Sequence, residues 1–223
     1  MNRNQLAIFL VVGAILFVAP TGCKKNSSTV NEPEPTPTDT SHVVVRKPNI
    51  YLYPPVRCVV SVKLEFPMGG TIIESIPAYR GEWRVEAGPS GKIENNVDYL
   101  FYESDTPDQY QYTSGWIVGR DSLPTFFKNN LSATGFIEKE ISDFTQYWVP
   151  RLIHHPFYII YPQYADDINK VITLTISPMP DTTIRLFYVI KGAETNGIHL
   201  AKPVIPRYER HGFVVAEWGV VQK

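Results

Sequence analysis

Apolar and polar positions alternate along Val56–Phe66. Val56, Cys58, Val60, Val62, Leu64 and Phe66 fall on one side, and Arg57, Ser61, Lys63 and Glu65 on the other. That is the period of a strand with one buried face. It makes Cys58 a small core residue with no activating group near it in sequence. Val43–Tyr53 is a second strand, ended by Pro54-Pro55, and Glu82–Ala87 a third, with Trp83, Val85 and Ala87 on one side. Gly88-Pro-Ser-Gly91 turns the chain toward Lys92-Ile-Glu. Tyr99–Tyr102 and Gly115–Val118 are further short strands, and spacing this close predicts an antiparallel meander.

The period then changes. Asp121 or Ser122 caps a helix with Pro124 in its first turn and Phe126, Phe127 and Leu131 along it, and Gly135 ends it. Ile137, Ile141, Phe144, Trp148 and Leu152 recur at spacings of three and four, a buried stripe on a second helix that Pro150 kinks or stops. Glu138 and Glu140, two apart, cannot face each other as an acid/base pair, but they favour the helix start. Val171–Ile176, Thr183–Ile190 and Gly212–Trp218 complete the strands. The expected class is α+β: a single, mostly antiparallel, β-rich domain with two helices inserted between strand groups.

The N-terminus follows a different pattern. Arg3 precedes the almost wholly apolar Leu6–Ala19, the length of a signal-peptide core and too short to span a bilayer. Pro20-Thr-Gly-Cys23 resembles a bacterial lipobox, with Pro20 where Leu is usual. The resemblance implies cleavage before Cys23 and acylation of that cysteine. Each buried lipid methylene contributes about 0.8 kcal/mol, so two or three acyl chains would hold the protein on a membrane. Lys24–His42, rich in Pro, Thr and Ser, reads as an extended leash of about 60 Å. The chain thus divides into a signal peptide (1–22), an acylated cysteine with its linker (23–42) and a globular domain (43–223). The anticipated location is the cell envelope. Lys24 stands where an inner-membrane retention aspartate is common, which points to the outer membrane if the cell has two.

Composition narrows the partners. Lys and Arg total 21 against 22 Asp and Glu, a formal charge of -1, and removal of Arg3 with the signal leaves 20 against 22. No basic excess exists to collect phosphates, so nucleic acid is not an expected partner. Two cysteines make neither a disulfide framework nor a four-thiolate zinc site. There is no HExxH, P-loop, dinucleotide fingerprint or Gly-x-Ser-x-Gly elbow, and adjacent His154 and His155 point apart on a helix. No metal or cofactor is anticipated.

One group of residues carries possible chemistry: Asp181, Arg185, Arg207, Glu209, Arg210, Glu217 and Trp218. Arg185 shares parity with Phe187 and Val189, and Glu217 with Phe213 and Val215, within strands that look covered on both sides. Such charges must be paired. Arg185 and Glu217 are therefore read as partners for each other or for Asp181, fixing strand register. The other reading is a pocket for an acidic or sugar ligand. Tyr110, Tyr112, Trp116, Tyr158, Tyr161 and Tyr164 either close sheet edges or form an aromatic platform.

Several landmarks recur in order: Lys47-Pro-Asn-Ile-Tyr-Leu-Tyr-Pro54, Trp83-Arg-Val-Glu-Ala87, Tyr99-Leu-Phe-Tyr-Glu103, Ser114-Gly-Trp-Ile-Val118, Tyr147-Trp-Val-Pro150, Pro180–Arg185 and Arg210-His-Gly-Phe-Val-Val-Ala-Glu-Trp-Gly219. Over Val43–Val220 this resembles a family of uncharacterised, mostly bacterial proteins with a KPxIYLYP start and a VEWG-type end. Tyr102 stands where Trp is common, and Gly-Val where Gly-Gly is. The resemblance implies a compact domain and supplies no catalytic residue. The expected function is non-enzymatic binding or structural duty in the envelope, with a glycan, peptide or envelope protein as partner. The alternatives are a glycan or peptide hydrolase with dispersed carboxylates, and an accessory subunit docking on another envelope protein.

Overall fold

A computed structural model of the chain describes residues 41–93 and 97–223. The signal segment, Cys23 and most of the leash lie outside them. Ten strands run in chain order: β1 (His42–Tyr53), β2 (Cys58–Glu65), β3 (Thr71–Ile76), β4 (Trp83–Ala87), β5 (Leu100–Pro107), β6 (Trp116–Gly119), β7 (Phe157–Tyr164), β8 (Thr173–Ser177), β9 (Thr182–Ala193) and β10 (Val214–Gln222). Helices α1 (Leu123–Thr134) and α2 (Glu138–Trp148) separate β6 from β7, and α3 (Ala165–Val171) separates β7 from β8.

The strands form two sheets. A seven-stranded sheet has the order β3-β5-β1-β10-β9-β7-β6, and a three-stranded sheet the order β4-β2-β8. The neighbours are antiparallel throughout except β9 and β10, which run parallel. The fold is therefore α+β and mostly antiparallel, with three helices among the described residues rather than two. The meander expected from strand spacing does not form. β1 and β2 lie in different sheets, and β3 pairs with β5 while β4 pairs with β2. Burial explains the separation. β2 alternates strictly between buried and open positions, whereas β1 is buried at every residue from Asn49 to Leu52 and β10 from Val214 to Val221. A strand with one wet face belongs in an outer sheet, and one apolar on both sides belongs in a middle layer.

The large sheet is that middle layer. On one face Leu52, Leu100, Tyr102, Phe187, Val189 and Val215 pack against Val60, Val62, Leu64, Trp83 and Val85 of the small sheet and against Ile168 and Val171 of α3. On the other, Tyr51, Ile184, Leu186, Tyr188, Ile190, Ala216, Trp218 and Val220 meet Phe127, Leu131, Ile141, Phe144 and Trp148 of α1 and α2. α1 ends as its sequence requires, with Gly135 at φ 118 donating to the Leu131 and Ser132 carbonyls. Pro150 stops α2 in a short 3-10 turn, Val149–Arg151.

α1 and α2 do not cover the whole sheet. Seven strands at about 4.8 Å spacing are roughly 29 Å across, and two helices packed about 10 Å apart cover about two thirds of that. The layer they form rests on β6, β7, β9, β10 and Tyr51 of β1. The outer part of this face, on β5 and β3, has α2 as its wall and no helix as its roof.

Candidate functional site

The residues singled out from the sequence do not converge. Arg185 and Glu217 are directly opposite across the β9–β10 ladder, with Arg185 Nε 2.5 Å from Glu217 Oε2 and both side chains buried. Tyr102 donates its hydroxyl proton to Glu217 Oε1 at 2.7 Å, and Arg185 Nη1 donates to Asn169 Oδ1 at 2.5 Å and to the Ile172 carbonyl at 2.8 Å. Burial and the neighbouring Glu217 raise the Tyr102 pKa well above normal. This is a sealed ion pair that ties two sheet strands to α3.

The other members lie elsewhere. Trp218 faces the opposite layer, edge-on to Phe144 with ring centroids 5.2 Å apart. Arg210 grips Glu140 of α2 through two hydrogen bonds of 3.0 and 3.1 Å, while Glu140 also accepts from the Ile137 N–H. Asp181 accepts from the Phe213 N–H rather than from an arginine, at 2.7 Å, and Arg207 and Glu209 are exposed. Tyr110, Tyr158 and Tyr161 are buried, Tyr164 and Trp116 half-buried and Tyr112 exposed, so most of them build the interior rather than a platform. Cys58 is half-buried against the small-sheet core. His155 pairs with Glu194 at 2.8 Å on the surface. Among the described residues, no group of three or more His, Cys, Asp or Glu side chains is placed to hold a metal ion.

A different site occupies the uncovered strip. Lys47, Glu74, Ile76, Val97, Asp98, Tyr99, Phe101, Glu103 and Tyr147 line an open cleft of about 540 Å3. It is built on an irregularity in β1. Pairing slips between Arg46 and Asn49 against β10 and between Val45 and Asn49 against β5, and Lys47 takes φ 55, the one positive φ at a non-glycine among the described residues. The bulge reverses the strand's parity. Val45 faces the small sheet before it, Ile50 and Leu52 do so after it, and Tyr51 and Tyr53 turn to the helices. A left-handed lysine costs on the order of 1 kcal/mol or more, and such strain persists where the surroundings over-determine it.

The surroundings here are aromatic. Lys47 Nζ lies 4.8 Å from the ring centroid of Tyr99, 4.6 Å from that of Phe101 and 5.5 Å from that of Tyr147. Its hydrogen-bond acceptors are neutral and distant: Asn49 Oδ1 at 3.4 Å and Tyr99 Oη at 3.3 Å. The Lys47 N–H donates to Glu103 Oε1 at 3.3 Å. Behind it, Asn49 Nδ2 donates to Tyr51 Oη, and the Tyr51 hydroxyl donates to Asp143 Oδ2 at 2.9 Å, which also receives Lys139 Nζ at 3.0 Å. This chain bolts the bulge to α2. Asp98 is held by Lys92 at 2.5 Å and Lys139 at 3.4 Å, and the Lys92 hydrogen bond outweighs the opposing effect of burial to lower its pKa. Partial burial works against the charge of Lys139, but Asp143 and Asp98 overcome it and raise its pKa.

Sequence reasoning passed over Lys47. The available signal was a charge beside a proline, Lys47-Pro48, in the middle of a strand with apolar runs on either side of Arg46–Asn49, which marks a bulge rather than a regular ladder. Chemically, the cleft offers a cation lodged among ring faces, carboxylates nearby, and apolar area from Ile76, Phe101 and Tyr147. No family model matches this chain, and no curated protein or solved structure matches it either.

Proposed function

We propose that this chain is a lipid-anchored cell-envelope protein, tethered through acylated Cys23, whose globular domain binds a ligand without transforming it. The Lys47 cleft is its binding site. The observation that carries the reading is the ammonium of Lys47, set by a strained bulge among three rings with neutral acceptors only. A preorganised charge in a half-apolar cleft is what ligand sites are made of. The apolar run before Cys23 supports the anchor, and the Pro-rich leash supports a domain held away from the lipid surface. Among the described residues no helix is long and apolar enough to cross a membrane. The likeness to the KPxIYLYP family belongs to the same proposal, and it would place Lys47 at the family's opening motif.

A second reading has its own observation. Glu74 and Glu103 face each other across the β3–β5 ladder, and both line the cleft. Directly opposed strand residues have Cβ atoms about 5 Å apart, which lets two glutamate side chains reach the carboxylate separation of about 5–5.5 Å used by retaining glycoside hydrolases. A glycan hydrolase would use this pair.

The anchor is tested by growing cells with labelled palmitate. The wild-type chain should carry label and sediment with membranes, and Cys23→Ala should do neither. Equal labelling of both would remove the tether. Binding is separated from hydrolysis by incubating the detergent-purified full chain with envelope glycan fragments and peptides. Unchanged masses after prolonged incubation support binding, and cleavage abolished by Glu74→Gln would establish the hydrolase.

A further inference from the structure

The charges lining the cleft are not equally committed. Asp98 is neutralised by Lys92 and Lys139, and Glu103 is engaged by the Lys47 N–H and lies 3.6 Å from Arg46 Nη1. Two remain. Lys47 has no carboxylate within ion-pair distance of Nζ among the described residues, and its two long hydrogen bonds leave a third donor over. Ring faces attract an ammonium but accept no strong hydrogen bond from it. Glu74, exposed on the edge strand β3, has no ion-pair partner among the described residues either. It also stands opposite Glu103, and like charges directly opposed across a ladder repel. The cleft therefore presents one unspent positive charge, half-buried among rings, and one unspent negative charge on its exposed edge strand, next to a second carboxylate. Ile76, Phe101 and Tyr147 add apolar surface to the same cleft.

Resting on the proposed binding role of this cleft, we propose that its ligand is a short zwitterionic peptide with both termini free. The terminal carboxylate takes the spare donor of Lys47, in a charge-assisted hydrogen bond partly shielded from water. The terminal ammonium sits between Glu74 and Glu103, where it relieves their repulsion. An apolar side chain lies against Phe101 and Tyr147. A volume of about 540 Å3 accommodates a molecule of two or three residues. A uronic-acid glycan satisfies Lys47 but brings no cation to the glutamates. A simple polyamine does the reverse.

The test is calorimetric titration of the detergent-purified full chain with the dipeptide Leu-Phe, its C-terminal amide, its N-acetyl derivative, and glucuronate. Leu-Phe should bind at least tenfold more tightly than the amide, and about fivefold or more above the N-acetyl form and glucuronate. Lys47→Met, which keeps the length of the stem, should make acid and amide equal. Glu74→Gln, a change at an exposed position that folding tolerates, should narrow the gap between free and acetylated peptide while keeping the preference for the acid. Equal binding of acid and amide by the wild-type chain overturns the inference, as does glucuronate matching the peptide or no heat from any probe. None of these touches the membrane anchor or binding of some other ligand. Release of free Leu and Phe would instead defeat the non-enzymatic reading while leaving recognition of the two termini intact.

Discussion

Arg185 and Glu217 carry the strongest single-residue prediction. Both are buried, and each satisfies the other's charge. Glu217→Gln leaves the guanidinium without its counter-charge and should cost about 3–5 kcal/mol, read as a lower urea midpoint. The double variant Arg185→Met/Glu217→Leu should regain most of that loss, because two buried charges are removed together. Gly212 makes a second case. It takes φ +57, and a Cβ added there would collide with the Asp181 carboxylate that receives the Phe213 N–H. Gly212→Ala should therefore destabilise by about 1–3 kcal/mol in the same assay. These two sites differ from Lys47 in how far the sequence discloses them. Parity alone places Arg185 and Glu217 on buried faces, and the need to pair such charges does the rest. Lys47 gains its meaning from rings at positions 99, 101 and 147, and from a bulge that reverses strand parity. No local period encodes either.

Elements with a strong period were legible, and weak ones were not. α1, α2, β2, β4, β9 and β10 follow from apolar spacing, with Gly135 and Pro150 as stops. β7 escaped because Pro162 argues against an inner strand. The structure resolves the conflict: the Pro162 carbonyl accepts from Gln111 Nε2, so that residue's backbone edge points away from β9, beyond the reach of β6. α3 is too short, at seven residues, to establish a helical period. β3 is an exposed edge whose Ile73 and Ile76 stay open, so little burial marks it. The start of α2 yields a prediction at this scale. Glu140 closes the first turn through the Ile137 N–H and simultaneously holds Arg210. Glu140→Gln should lower stability by about 1–3 kcal/mol. It should also speed hydrogen exchange and proteolysis in the segment 203–212, with β9 and β10 still protected. Uniform loosening of both regions would mean that the clamp is not local.

Across the whole molecule, buried phenols set an alkaline limit. Tyr51, Tyr102, Tyr110 and Tyr188 are almost completely buried, and desolvation raises the pKa of each well above its ordinary value near 10. Their folded pKa values exceed the unfolded ones, so their contribution is complete below about pH 10. It falls as pH climbs toward the folded values, by up to about 1.4 kcal/mol per pH unit for each phenol. Melting temperature should hold to about pH 10 and then drop steeply. Phenolate absorbance of these four should appear with unfolding rather than before it, and early ionisation at constant fold would contradict their sealing. The strand order has a further consequence, one of timing. β10 alone joins β3-β5-β1 to β9-β7-β6, so without it the large sheet is two unconnected halves. β1 and β9 can each gain this neighbour only once synthesis has passed Val214–Gln222. Until then each half of the large sheet keeps one open edge where that strand belongs, at β1 and at β9, and neither half can close on the other.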